Sequence, residues 1–266
     1  DSDWCPTVLN NGRVMYLRWE YSDLPHFFSR ILFSANPDGT NQAEHYGSGS
    51  FWPNSLFYAQ PIPGHSSQFV GIATGHHVNR SGKLILFDPA LGRHEADGAI
   101  QMMPGRERPV EPTIADHLYG NDFPKFLHPM PLGTGPDDGA GKYFLASGQL
   151  TKDDTWGIYL VDAFDNVVPL VVDPDKAFLE PIPLAPRVRP PVMHDRTDYE
   201  QDEAVVFITD VYEGPGLKNI PRGTVKSLRL YTYHFCYPLT GHNDVVGIES
   251  GWDIKHLFRL FVTSAA

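Results

Sequence analysis

Short apolar, β-branched and aromatic runs separated by Pro and Gly punctuation fill this chain, and a sustained helical period occurs only in the last segment, Trp252 to Val262. The pattern predicts an all-β fold. One element recurs four times, as Cys5-Pro6-Thr7-Val8, Gln60-Pro61-Ile62-Pro63, His128-Pro129-Met130-Pro131 and Glu180-Pro181-Ile182-Pro183. Each copy is followed by a strand-like run: Arg13 to Trp19, Phe69 to Thr74, Lys142 to Ser147 and Ala204 to Thr209. A third run comes after each of these, at Arg30 to Ser34, Lys83 to Phe87, Gly157 to Val161 and Ser227 to Thr232. Turn sequences such as Asn36-Pro37-Asp38-Gly39 and Asp162-Ala163-Phe164-Asp165-Asn166 then lead into a short fourth strand. Four strands repeated four times predict four-stranded antiparallel blades of a β-propeller, with the Pro elements innermost.

The repeats fall at about 4–50, 58–104, 126–173 and 179–238, within a propeller domain spanning 1–250. Residues 251–266 then read as the start of a following segment or a truncated end. The repeat is longer than the ~40–45 residues of a compact blade, so loops have been inserted. The largest, Ala185 to Glu203, carries Pro186-Arg187-Val188-Arg189-Pro190-Pro191 and suits an extended rim loop rather than a central strand. Alternation along the third strands predicts Ile158, Leu160, Ile31, Leu84 and Leu228 between blades.

Composition narrows the partners. The chain has 266 residues with 21 Lys plus Arg against 32 Asp plus Glu, a formal charge of -11. That excess of negative potential opposes binding to nucleic acid or to anionic lipid. No apolar run approaches the ~20 residues of a membrane helix, so no membrane insertion is expected. Cys5 and Cys236 are the only cysteines, and neither lies in a haem-attachment motif, so no covalently bound haem is expected. The two are read either as unrelated thiols or as a pair closing the ring.

Several stretches carry a family resemblance: Arg18-Trp19-Glu20-Tyr21, Asn36-Pro37-Asp38-Gly39-Thr40, Tyr58-Ala59-Gln60-Pro61-Ile62-Pro63-Gly64-His65 and Gly75-His76-His77. Further ones are Phe126-Leu127-His128-Pro129, Trp156-Gly157-Ile158-Tyr159-Leu160-Val161-Asp162, Leu179-Glu180-Pro181-Ile182-Pro183-Leu184 and Pro221-Arg222-Gly223-Thr224. Together they resemble the propeller region of proteins related to the hydrazine synthase alpha subunit. The resemblance implies a TolB-like propeller, six-bladed in the complete family domain, in an extracytoplasmic (periplasmic or secreted) protein with further domains. Only four blades are visible here, and the family's haem chemistry does not carry over, because its attachment motif is missing.

The repeat alignment supplies its own candidate site. The residue before the first Pro of each copy, Cys5, Gln60, His128 or Glu180, should lie near a central channel. Gly75-His76-His77 ends the second strand of the second repeat where Glu20 ends that of the first. The candidate ligand-binding set at the channel mouth is therefore Gln60, His76, His128, Glu180 and Glu20, with His128 and Glu180 as candidate ligands of a divalent metal. The simpler role for these side chains is to cap backbone groups where strands begin. Gly139-Ala140-Gly141-Lys142-Tyr143 approaches a phosphate loop but lacks its first Gly and its Ser or Thr, and reads as a hairpin loop.

The expected function is a non-catalytic scaffold, or a domain binding a protein partner or a small polar ligand. The alternative is a propeller glycosidase or other hydrolase using channel carboxylates, with Glu20, Asp210, Glu213 and Glu180 as candidates. No Gly-x-Ser-x-Gly elbow supports a serine hydrolase.

Overall fold

The computed structural model describes residues 2–19, 30–47, 50–106, 108–203, 205–208, 210–213, 217–228, 231–234 and 244–247. The chain is all-β, built from antiparallel meanders, and divides into two compact units, Asp1–Asp195 and Arg196–Ala266.

In the first unit the first meander runs β1 (Ser2–Val8), β2 (Val14–Trp19), β3 (Arg30–Ala35), β4 (Ala43–Tyr46). The second runs β5 (Ser55–Pro61), β6 (Phe69–Thr74), β7 (Lys83–Phe87), β8 (Ala99–Met103). The third runs β9 (Lys125–Pro131), β10 (Tyr143–Gln149), β11 (Gly157–Asp162), β12 (Val167–Val171). These are the first three sequence repeats, and β6 and β7 have the bounds that the sequence predicts. The turns follow their residues: Gly39, at φ 82°, closes the β3–β4 hairpin, with Asp38 accepting from the Thr40 N–H and hydroxyl. The phosphate-loop-like stretch is indeed part of the β9–β10 loop.

Seams join successive meanders at the same place. A parallel bridge pairs Arg30, at the start of β3, with Ser55 of β5. At the next seam Gly82, just before β7, exchanges both backbone hydrogen bonds with Phe126 of β9 (2.8 and 3.2 Å). The Phe178 N–H donates to the Trp156 carbonyl, just before β11, at 2.8 Å, so the fourth Pro element begins against the third meander as β9 begins against the second. The first strands are neighbours, β1 packing on β5 and β5 on β9. One core runs through all three meanders, including Tyr46, Trp52, Phe57, Phe87, Phe126 and Phe144.

The fourth repeat departs from the expected blade. Residues 177–198 form no strand, and of the two later predicted runs only the end of Ser227 to Thr232 enters a strand, β13 (Tyr231–His234), which pairs with β14 (Asp244–Gly247). Pro181, Pro183, Pro186, Pro190 and Pro191 remove backbone donors that a ladder needs, so this stretch enters no sheet. Its apolar side chains remain outside: Leu184 and Val188 are exposed, and so are Val205 and Phe207.

The same departure changes the third meander. Leu84 is fully buried, but in β11 Tyr159 and Val161 are buried while Ile158 and Leu160 are half-buried; Ile31 is half-buried too, and Leu228 is exposed. The expected register is thus reversed in β11. On β12, Val168, Leu170 and Val171 are exposed.

Candidate functional site

Each first strand carries a bulge. Pairing passes from Trp4 to Thr7 in β1, from Phe57 to Gln60 in β5 and from Leu127 to Met130 in β9, so two inner residues face one on the next strand. The first bulged residue is left-handed in each case: Cys5 at φ 53°, Tyr58 at 53° and His128 at 49°. Glu180 repeats the conformation at 56° in the fourth copy. A left-handed non-glycine residue costs about 1–2 kcal/mol, so four at one repeat position are a device that re-aims four side chains.

The re-aimed side chains meet in repeat order. The Tyr58 backbone hydrogen-bonds the Cys5 sulfur. The Tyr58 ring meets the His128 imidazole edge-on, with centroids 4.4 Å apart. His128 Nε2 lies 3.9 Å from Glu180 Oε1, and the Glu180 N–H is anchored by Ser147 Oγ at 3.1 Å. Arg80, from the β6–β7 loop, hydrogen-bonds the Tyr58 side chain and sits over the rings of Trp4 (5.0 Å) and Phe57 (5.5 Å).

Burial sets the charge state. It pushes the Cys5 thiol and the Tyr58 phenol up, and it pushes the His128 imidazole down against the opposing pull of Glu180. Thiol, phenol and imidazole are therefore neutral at pH 7, between the positive Arg80 and the negative Glu180. The Glu180 side chain is 75% exposed, whereas His128 Nδ1 is buried without a hydrogen-bond partner.

A second cluster adjoins Trp4. Arg30 lies over Trp19 (4.8 Å) and Trp4 (5.5 Å), and its Nη1 donates to the His76 carbonyl at 3.1 Å. Burial lowers the Arg30 pKa, and the charge of Arg80 lowers it further. His76 is buried edge-on to Trp19 (5.6 Å) and to His77 (4.5 Å), and its N–H donates to the Asp116 carbonyl. His77 Nδ1 and Asp116 Oδ2 are 2.7 Å apart.

The structure thus brings together Cys5, His128 and Glu180, three of the four residues that the repeat alignment makes equivalent, and adds Tyr58 and Arg80. Gln60 is displaced from the expected place. In the second repeat the bulge lies at Tyr58, two residues before Gln60, because backbone handedness rather than the following Pro marks the equivalent position. Gln60 Oε1 instead accepts from Thr7 Oγ1 at 2.9 Å, which joins β5 to β1. His76 belongs to the Trp19 cluster. Glu20 and Cys236 lie outside the described residues. In the second unit Asp210 accepts from the Arg222 guanidinium (2.5 Å) and the Tyr212 N–H, a turn-stabilising arrangement. Among the described residues no three or more His, Cys, Asp or Glu side chains are placed to hold a metal ion, and His128 with Glu180 offers two donors.

Sequence reasoning missed Tyr58 and Arg80. The signal for Tyr58 was the offset of two residues between Phe57-Tyr58 and the Pro of its repeat. Arg80 had none, since its role arises from packing on Trp4 and Phe57. No protein-family model, curated protein or solved structure matches this chain.

Proposed function

We propose that the chain is a non-catalytic binding domain of β-propeller type that holds a small polar ligand between Arg80 and Glu180. The observation that carries this reading is the left-handed conformation shared by Cys5, Tyr58, His128 and Glu180, at a bulge in the first three, since backbone strain held at one repeat position clusters where a fold presents side chains to a ligand. The charges suit a dipolar ligand: a guanidinium at one end, a carboxylate at the other, and neutral phenol, imidazole and thiol groups between them. A divalent cation held by His128 and Glu180 is the other occupant this donor set accommodates. Binding is favoured over hydrolysis because Glu180 faces an imidazole and Asp210 is engaged by Arg222, so neither of these candidate carboxylates is paired with a second one.

Three successive meanders whose first strands are neighbours support the propeller arrangement, and the fourth Pro element, although it forms no strand, begins against the third. The resemblance of the sequence to hydrazine synthase alpha-related proteins is what suggests an extracytoplasmic setting. Among the described residues no helix is long and apolar enough to cross a membrane.

The test is calorimetric titration of the chain with glycine, succinate, zinc and calcium, for the wild type and for His128→Ala and Glu180→Ala. At least one probe should bind the wild type and bind each variant at least tenfold more weakly. If no probe binds, or if the variants bind with unchanged affinity, the reading is refuted.

A further inference from the structure

At the end of the strands where β1 and β5 finish, the turns Leu9–Asn11, His65–Ser67 and Pro89–Arg93 enclose a half-open cleft of about 220 Å³. Asn10 fixes its shape, since Nδ2 donates to the carbonyls of Ile62 and His65, both at 2.8 Å, which leaves Oδ1 as an acceptor. The floor is apolar, formed by the buried Leu9 and Phe69, and Ser66 and Ser67 add hydroxyls to the wall.

Two features point to a missing ligand. His45 lines the cleft edge-on to Phe69 (5.0 Å), with Nδ1 engaged by Ser34 Oγ (3.3 Å), while its Nε2 is buried without a hydrogen-bond partner. An orphaned buried ring nitrogen carries the desolvation cost of an unmade hydrogen bond, which an incoming polar atom removes. Arg93, also in the lining, is exposed and forms no ion pair among the described residues, and no carboxylate lines the cleft. Burial and the charges of Arg93 and Arg13 hold the His45 imidazole near pKa 4, so it is neutral at pH 7, and Arg93 brings the one guanidinium charge of the lining. That charge matches a monoanion. The volume lies below the ~300–1,000 Å³ of drug-sized sites and suits one small ring.

We propose that this cleft binds a sugar acid, one ring bearing several hydroxyls and one carboxylate. Arg93 takes the carboxylate, Ser66, Ser67 and Asn10 Oδ1 take hydroxyls, and His45 Nε2 takes one ligand oxygen. The site is separate from the bulge cluster and does not depend on it.

The test is titration of the chain at pH 7 with glucuronate, glucose, acetate and inorganic phosphate, followed by calorimetry. Glucuronate should bind tightest. Arg93→Gln, a change at an exposed position, should weaken glucuronate at least tenfold and leave glucose unchanged, while His128→Ala leaves glucuronate binding intact. Absence of saturable glucuronate binding overturns the proposal. So does an unchanged affinity in Arg93→Gln, or phosphate or acetate binding as tightly as glucuronate.

Discussion

Replacing Phe126 by Ala tests how the second and third meanders are joined. Phe126 is fully buried, its backbone forms both hydrogen bonds of the seam with Gly82, and its ring edge lies where a Cβ on Gly148 would meet it at 3.3 Å. Deleting the ring forfeits about 2 kcal/mol of transfer free energy. A residual cavity adds about 24 cal/mol per Å³, so roughly 40–125 Å³ left unfilled brings the total to about 3–5 kcal/mol. Leu160→Ala is the control: the side chain is half-buried, and about 1 kcal/mol is expected. Urea unfolding followed by tryptophan fluorescence reads both, because four of the five tryptophans lie in the unit Asp1–Asp195. In a thermal scan the Phe126 variant should melt about 6–20 °C lower, at 2–4 °C per kcal/mol. A Phe126→Ala cost below about 1 kcal/mol, or a Leu160→Ala cost equal to it, would refute the seam and the β11 register.

Gly75→Ala should lower stability by about 1–3 kcal/mol in denaturant melts, because the new Cβ would lie 2.4 Å from the Asp116 carbonyl oxygen and 2.5 Å from the Leu118 nitrogen, both backbone atoms. His45, with its folded pKa lowered from 6.5 to about 4, contributes stability that is complete above pH ~6.5 and lost as pH falls towards 4, up to about 3 kcal/mol. His45→Gln should flatten that part of the stability profile. Asp138, held near pKa 2 chiefly by the Thr134 hydroxyl and by the Gly135 and Thr134 N–H groups, contributes stability above pH ~3.9 that is lost as pH falls through 2. Asp138→Asn should reduce the fall in melting temperature between pH 4 and pH 2.

Strand positions were legible where local pattern and pairing agree. Phe69 to Thr74 and Lys83 to Phe87 are largely apolar runs between turn signals, and side chains on both of their faces are buried. Val205 to Ile208 has the same local character but, beyond a Pro-rich stretch, forms only an isolated bridge at Phe207, so tertiary context overrode propensity. In β11, Tyr159 and Leu160 both suit either face, and a register shift of one residue exchanges them. At the site, His128 and Glu180 were found because Pro follows the bulge directly. Gln60 was chosen over Tyr58 because the second repeat places Ala59 and Gln60 between the bulge and its Pro. Which residue is left-handed is a backbone property that the spacing of prolines does not encode.

The central claim is that equivalent left-handed positions, three of them bulges, set Cys5, Tyr58, His128 and Glu180 side by side, and the most direct measurement is a nuclear Overhauser experiment between the rings of Tyr58 and His128. With centroids 4.4 Å apart, the account predicts strong cross-peaks between the Tyr58 ring protons and the His128 imidazole protons, lost in Tyr58→Leu. Assigned spectra in which those cross-peaks are absent would contradict it.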